Sequence, residues 1–106
     1  MTQIFAKIGD AVMAMRKEEA QLIALQSLSW LVENRSALSE FMALTGIDLD
    51  TLRNAAGEDD LLASVIEYIC GEDARIIACA DHIGEKPEVF LTVRDVLGGG
   101  AIPHWT

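Results

Sequence analysis

Apolar residues in this chain recur three and four positions apart, in short runs cut off by glycine, and nowhere alternate as a half-buried strand requires. The runs are Leu38, Phe41, Met42; Leu61, Leu62, Val65, Ile66, Ile69; Ile76, Ile77, Ala80, Ile83; and Val89, Phe90, Val93, Leu97. Gly46, Gly57, Gly71, Gly84 and Gly98 stand where such runs stop, and glycine tolerates the left-handed conformation found just past many helix ends. Starts match the stops: Asp48 or Asp50, Asp59 or Asp60, and Asp73 can each accept backbone N–H bonds as N-caps, and Pro87 suits a first helical turn. The pattern predicts helices near residues 36–45, 49–56, 60–70, 73–83 and 87–97.

A longer helix is predicted from Glu18 to Asn34, with Ala20, Ile23, Ala24, Leu28, Leu31 and Val32 on one arc and Glu18, Glu19, Gln26, Ser29 and Glu33 opposite. Residues 3–15 form a second amphipathic stripe of Ile4, Phe5, Ile8, Val12 and Met15. Were both stretches one straight helix, their apolar arcs would point roughly 150° apart. A bend near Arg16 to Glu18 is therefore expected, or else the first stretch buries its face on something other than this core. After Leu97, three glycines and Pro103 remove helical propensity, so the tail carrying Ile102, His104 and Trp105 is expected to be extended. The expected fold is all-α: one compact bundle of five or six short helices with a long central helix. Residues 1–17 form an amphipathic N-terminal segment, 18–97 the helical domain and 98–106 a Gly-rich tail.

Composition supports a folded core: 51% of the residues are hydrophobic and only 6% aromatic, so burial rests on aliphatic helix formers. The longest unbroken apolar stretches, Ala11–Met15 and Ile76–Ala80, have five residues each, against the ~18 to 20 that a membrane span needs. With no basic segment leading into an apolar stretch, no secretory signal is expected, and the chain is read as cytoplasmic. Cys70 and Cys79 are too few for a disulfide framework and are expected as free thiols.

Net charge is −9, unevenly spread: Lys7, Arg16 and Lys17 against Asp10 give residues 1–17 a charge of +2, leaving −11 for the remainder. A surface of that sign repels phosphate backbones and anionic lipid. This weighs on the one motif with a sequence signature, a helix-turn-helix reading of Phe41 to Leu52 in which Gly46 turns the chain and Ile47 and Leu52 pack beneath it. Met42 is bulkier than the residue usual at such a crossing, and a looser copy around Gly84 marks both as generic helix-Gly-helix corners. From Asp48 to Asp60 five acids face Arg53 alone, a local charge of −4, so nucleic-acid binding is disfavoured.

Taken in order, Ala24-Leu25, Leu28-Ser-Trp30-Leu31, Phe41 to Ile47, Leu52-Arg53 and the ending Pro103-His-Trp-Thr106 resemble a bacterial family of unknown function, DUF3572. The resemblance covers nearly all of the chain from Ala20 onward. It implies a compact helical fold and brings no activity, cofactor or substrate. Residues 1–17 are longer and more apolar than the family pattern leads one to expect.

Signatures of chemistry are sparse. Cys79 and His82 lie three apart, Cys70 ends the preceding helix, and Asp81 or His104 could be drawn as a fourth metal ligand, but structural zinc prefers ligands in tight pairs. A buried cysteine acting as a small hydrophobe explains Cys79 more simply. The same Cys–His pair could be drawn as thiol and base, yet lacks any visible orienting group or oxyanion site. No nucleophile elbow, zincin, phosphate-loop or calcium-loop pattern occurs. We therefore expect no catalytic, cofactor or metal site and a protein-interaction module, with a nucleic-acid regulator or small enzyme as alternatives. The expected contacts are Ile4, Phe5, Ile8, Val12 and Met15, through which the chain would self-associate, meet a protein partner or dock across its own core after a bend, and His104 and Trp105 in the tail, where Trp105 would fold back onto the helical body or else await a partner's pocket.

Overall fold

A computed structural model describes residues 15–98. Six helices and no strand occur among them: α1 Lys17–Glu33, α2 Arg35–Thr45, α3 Leu49–Asn54, α4 Asp59–Cys70, α5 Asp73–Ile83 and α6 Val89–Gly98. Arg16 is extended, with ψ at 151°, so α1 begins at Lys17 and the helical path breaks at Arg16, within the stretch where a bend is one of the two expectations. Of the expected contacts, Ile4, Phe5, Ile8, Val12, His104 and Trp105 lie outside the described residues, as does Ile102.

Local chemistry sets the boundaries. Asn34 serves two helices: its N–H closes α1 onto the Leu31 and Trp30 carbonyls, and its side-chain oxygen accepts the Ala37 N–H at 3.2 Å to open α2. Gly46 ends α2 at φ 75°, the left-handed conformation a side chain would resist, and Gly84 ends α5 at φ 74°. Asp48 caps α3 by accepting the Thr51 N–H at 2.8 Å. The other expected caps differ. Glu58 and Glu72 hold the positions before α4 and α5 without side-chain cap bonds, placing Asp59, Asp60 and Asp73 in first turns where carboxylates favour the helix dipole. Gly57 and Gly71 are not left-handed, and Pro87 belongs to a turn preceding α6 rather than to its first turn.

The long helix α1 is central, packing against α2, α4, α5 and α6, while α4 also packs on α5 and α6. Phe41, Phe90, Leu31, Leu62, Val65, Ile66, Ile69 and Val93 are fully enclosed between them. Each such side chain contributes roughly 1.5 to 3 kcal/mol of burial. Fully buried Ala20 and Ala24 keep the inner face of α1 narrow, and Ser27 satisfies its buried hydroxyl by donating to the Ile23 carbonyl at 2.8 Å.

Two expectations for the core shift. The buried arc of α1 is rotated towards Trp30 and Ser27, which leaves Val32 46% exposed. On α5, Cys79 and Ala80 are buried but Ile77 is exposed, because only one edge of that short helix meets α1 and α4.

Candidate functional site

Rotation of the α1 arc leaves apolar residues exposed among the described residues. Leu22, Leu25 and Val32 lie with Ser29 at spacings of three and four along one outer stripe of α1, 57%, 39% and 46% exposed for the three hydrophobes. Beside this stripe α2 and α3 enclose a groove of about 560 Å³. Buried Leu28 and Leu52 line its floor with half-buried Leu38, Leu25, Val32 and Leu49 form its sides, and Glu33 and Arg53 supply opposite charges at its edge. Four of the seven exposed large hydrophobes among the described residues belong to this stripe and groove, so they form a patch rather than scattered surface residues.

The helix-Gly-helix corner explains the groove. Gly46 reverses the chain after α2, half-buried Ile47 anchors the corner, and the Asp48 cap starts α3 so that Leu52 turns inward and Leu49 reaches the groove. The corner expected from sequence is present, but α3 has only six residues and opens with Asp48 and Asp50.

A second, polar cluster lies where α2, α4 and α5 meet near Trp30. Tyr68 donates its hydroxyl to Glu40 Oε1 at 2.6 Å, Arg75 lies 4.0 Å above the Tyr68 ring and donates to the Tyr68 carbonyl, and Glu40 and Glu72 stand 3.6 and 3.7 Å from the guanidinium. Burial, then the bond to Glu40, push the Tyr68 hydroxyl up to about 12, against the opposing charge of Arg75. The Tyr68 hydroxyl therefore keeps its proton, and the Arg75 guanidinium stands between two carboxylates. The cluster is a tie between helices.

The thiols are similarly quiet. Cys79 is fully buried and its thiol is pushed up to about 11 by burial, with Ser27 opposing weakly. Burial also raises half-buried Cys70, whose Sγ approaches the Phe90 carbonyl at 3.7 Å. His82 is exposed at the other end of the Cys79 turn, and the described residues hold no group of three potential ligands able to bind a metal ion. Met15, the one described member of the N-terminal stripe, is half-buried in a depression of about 590 Å³ with Gly84, Lys86, Val89 and Thr92.

Sequence periodicity missed the groove because Val32 fits the core arc of an ideal wheel and Leu22 and Leu25 belong to neither face. The available signal was that Leu22 and Leu25 add apolar side chains beside the core arc, more than one core-facing arc explains.

Over the described residues, fold and surface together define a small helical bundle with an open apolar groove. The chain belongs to the family described as "Protein of unknown function (DUF3572)", which matches residues 17–100. That match starts at the first residue of α1 and leaves out both the N-terminal stripe and the Pro103 to Thr106 ending. No curated protein and no solved structure matches the chain.

Proposed function

We propose that this protein is a non-catalytic helical module that acts through protein contacts, with the α1–α3 groove as its contact surface. The observation that carries the reading is the clustering of Leu25, Val32 and Leu49 around a groove floored by Leu28 and Leu52. An amphipathic helix lays apolar anchors spaced three and four apart into such grooves, and burying them supplies affinity without a polar catalytic constellation. Glu33 and Arg53 at the edge offer one charge of each sign to fix the orientation of the guest. Raised thiols and a paired Arg75 favour this reading over a small enzyme, and Asp48 and Asp50 at the start of α3 favour it over a nucleic-acid regulator. Free Cys70 and Cys79 suit a reducing compartment, and we place the protein in the cytoplasm.

Co-purification from the native host tests the proposal. The wild-type chain and an Ile77→Glu control should recover the same protein, and a Val32→Glu, Leu49→Glu variant should lose it while keeping its helical spectrum. Recovery of that protein undiminished by the groove variant would remove the groove from the function.

A further inference from the structure

Charge around the groove constrains what can enter it. On the outer stripe of α1, Glu18 stands one turn before Leu22 and Glu33 one turn after Ser29, so an acid closes the apolar stripe at each end. Glu19 adjoins the first of these, and Asp48 and Asp50 flank Leu49 where α3 opens. All five acids are exposed, and none joins a salt bridge among the described residues. The cations of the same helices are placed elsewhere or already complemented. Lys17 is held by Asp59 at 2.7 Å, Arg35 lines a neighbouring depression with Trp30 and His82, and Arg53 occupies the last turn of α3, at the negative end of the helix dipole. We infer that the guest of the groove is a basic amphipathic helix of another protein, with apolar side chains three and four apart on one face and Lys or Arg towards both ends. This rests on the groove being the contact surface, and adds the chemistry of the partner that fits it.

Charge complementarity selects this occupant over the others. A second copy would bring a body of net charge −9 against the same acids. An acidic helix would set like charges at both ends of the stripe, which slows encounter and weakens the complex. A basic helix is steered in, and its apolar face then seats on Leu25, Val32 and Leu49. Lys and Arg also suit the rim in shape: their methylene stems cover apolar surface such as the exposed Leu22 while the charged head reaches Glu18 or Glu19. From Leu22 to Val32 the stripe runs ~15 Å at 1.5 Å per residue, which matches about three turns of guest helix.

Fluorescence anisotropy with the full chain and labelled peptides tests the assignment. Each peptide is Ala-rich and about 15 residues long, so that it forms a helix. The first carries leucines on one face and lysines at both ends, the second has glutamate for every lysine, and the third keeps the first composition with its leucines dispersed around the helix. At ~0.1 M salt the first should bind at least about tenfold more tightly than either of the others, and ~1 M salt should narrow its lead over the glutamate peptide but not over the dispersed one. Val32→Glu with Leu49→Glu separates seating in the groove from bulk attraction: it adds negative charge, so a purely ionic contact would strengthen, whereas loss of the apolar seat predicts binding weaker by about tenfold. Glu18→Lys with Glu33→Lys should reverse the preference between the lysine and glutamate peptides; both positions are exposed, so neither change touches the core. Binding of neither peptide, or a preference for lysine that the reversal leaves intact, would overturn the inference. Equal, groove-dependent binding of the lysine and glutamate peptides rejects the basic guest alone. Lysine-peptide binding that survives the double glutamate variant, or that the dispersed peptide matches, rejects the contact surface as well.

Discussion

Tyr68 donates its hydroxyl to Glu40 across the α2–α4 contact at 2.6 Å, and this bond joins two helices that share no sequence signal for meeting. The Tyr68 ring also meets Phe41 edge-on at a centroid distance of 5.6 Å, so one side chain belongs both to the core and to the polar tie. Replacing Tyr68 with Phe keeps the ring and should cost ~0.5 to 1.5 kcal/mol, read as a lower urea midpoint with an unchanged slope.

Because the chain has one tyrosine, ultraviolet absorbance reads this group directly. The hydroxyl stands near 12 in the folded protein against an ordinary value of 10.0, so the folded state holds its proton more tightly than the unfolded chain. Its contribution to stability is therefore complete below pH 10 and declines as pH rises towards 12. A native tyrosinate transition near 12, falling towards 10 in denaturant, is the expected result; a native transition near 10 would contradict the buried bond.

Cys79 should behave as a reporter of unfolding. Enclosed between α1 and α5 with its thiol near 11, it should resist an aromatic disulfide reagent at pH 8 and be modified only as fast as the protein opens. Cys70, half-buried, should react sooner. Prompt modification of Cys79 in native protein would rule out this packing.

Two glycines that look alike in sequence should respond oppositely to alanine. At Gly46, φ of 75° imposes on alanine a left-handed backbone costing roughly 1 to 2 kcal/mol. Gly57 has no positive φ and open space where a Cβ would sit, so alanine should be neutral or stabilise by about 0.4 to 1 kcal/mol. Thermal or urea unfolding of the two variants decides the matter, and equal losses would reject the assigned turns.

These glycines show how far periodicity reaches. Runs such as Leu61, Leu62, Val65, Ile66 and Ile69 carry the identity of α4, because a helix that buries one face must repeat every three or four residues. Glycine marks where a helix stops but not how: Gly46 and Gly84 turn left-handed, while Gly71 ends α4 at φ −68° with the Arg75 guanidinium 3.3 Å from where a Cβ would be. That approach depends on the tertiary placement of Arg75 over Tyr68, which no local pattern encodes. The groove was hidden for the same reason. Whether Val32 faces core or water depends on how α2 and α3 pack beside α1 across the Gly46 corner, and there Leu28 and Leu52 are buried while Val32 stays 46% exposed on the groove.

The claim that this groove is the working surface is tested most directly by position-resolved photo-cross-linking in living cells. A photoreactive amino acid is placed in full-length protein at Val32 or, in a separate variant, at Ile77; the two sites are both exposed, at 46% and 59%, but only Val32 lines the groove. The account predicts a discrete protein adduct from Val32 that is absent from Ile77 and lost when Leu49 is also changed to Glu. Identical adducts from the two positions, or none from Val32, would contradict it.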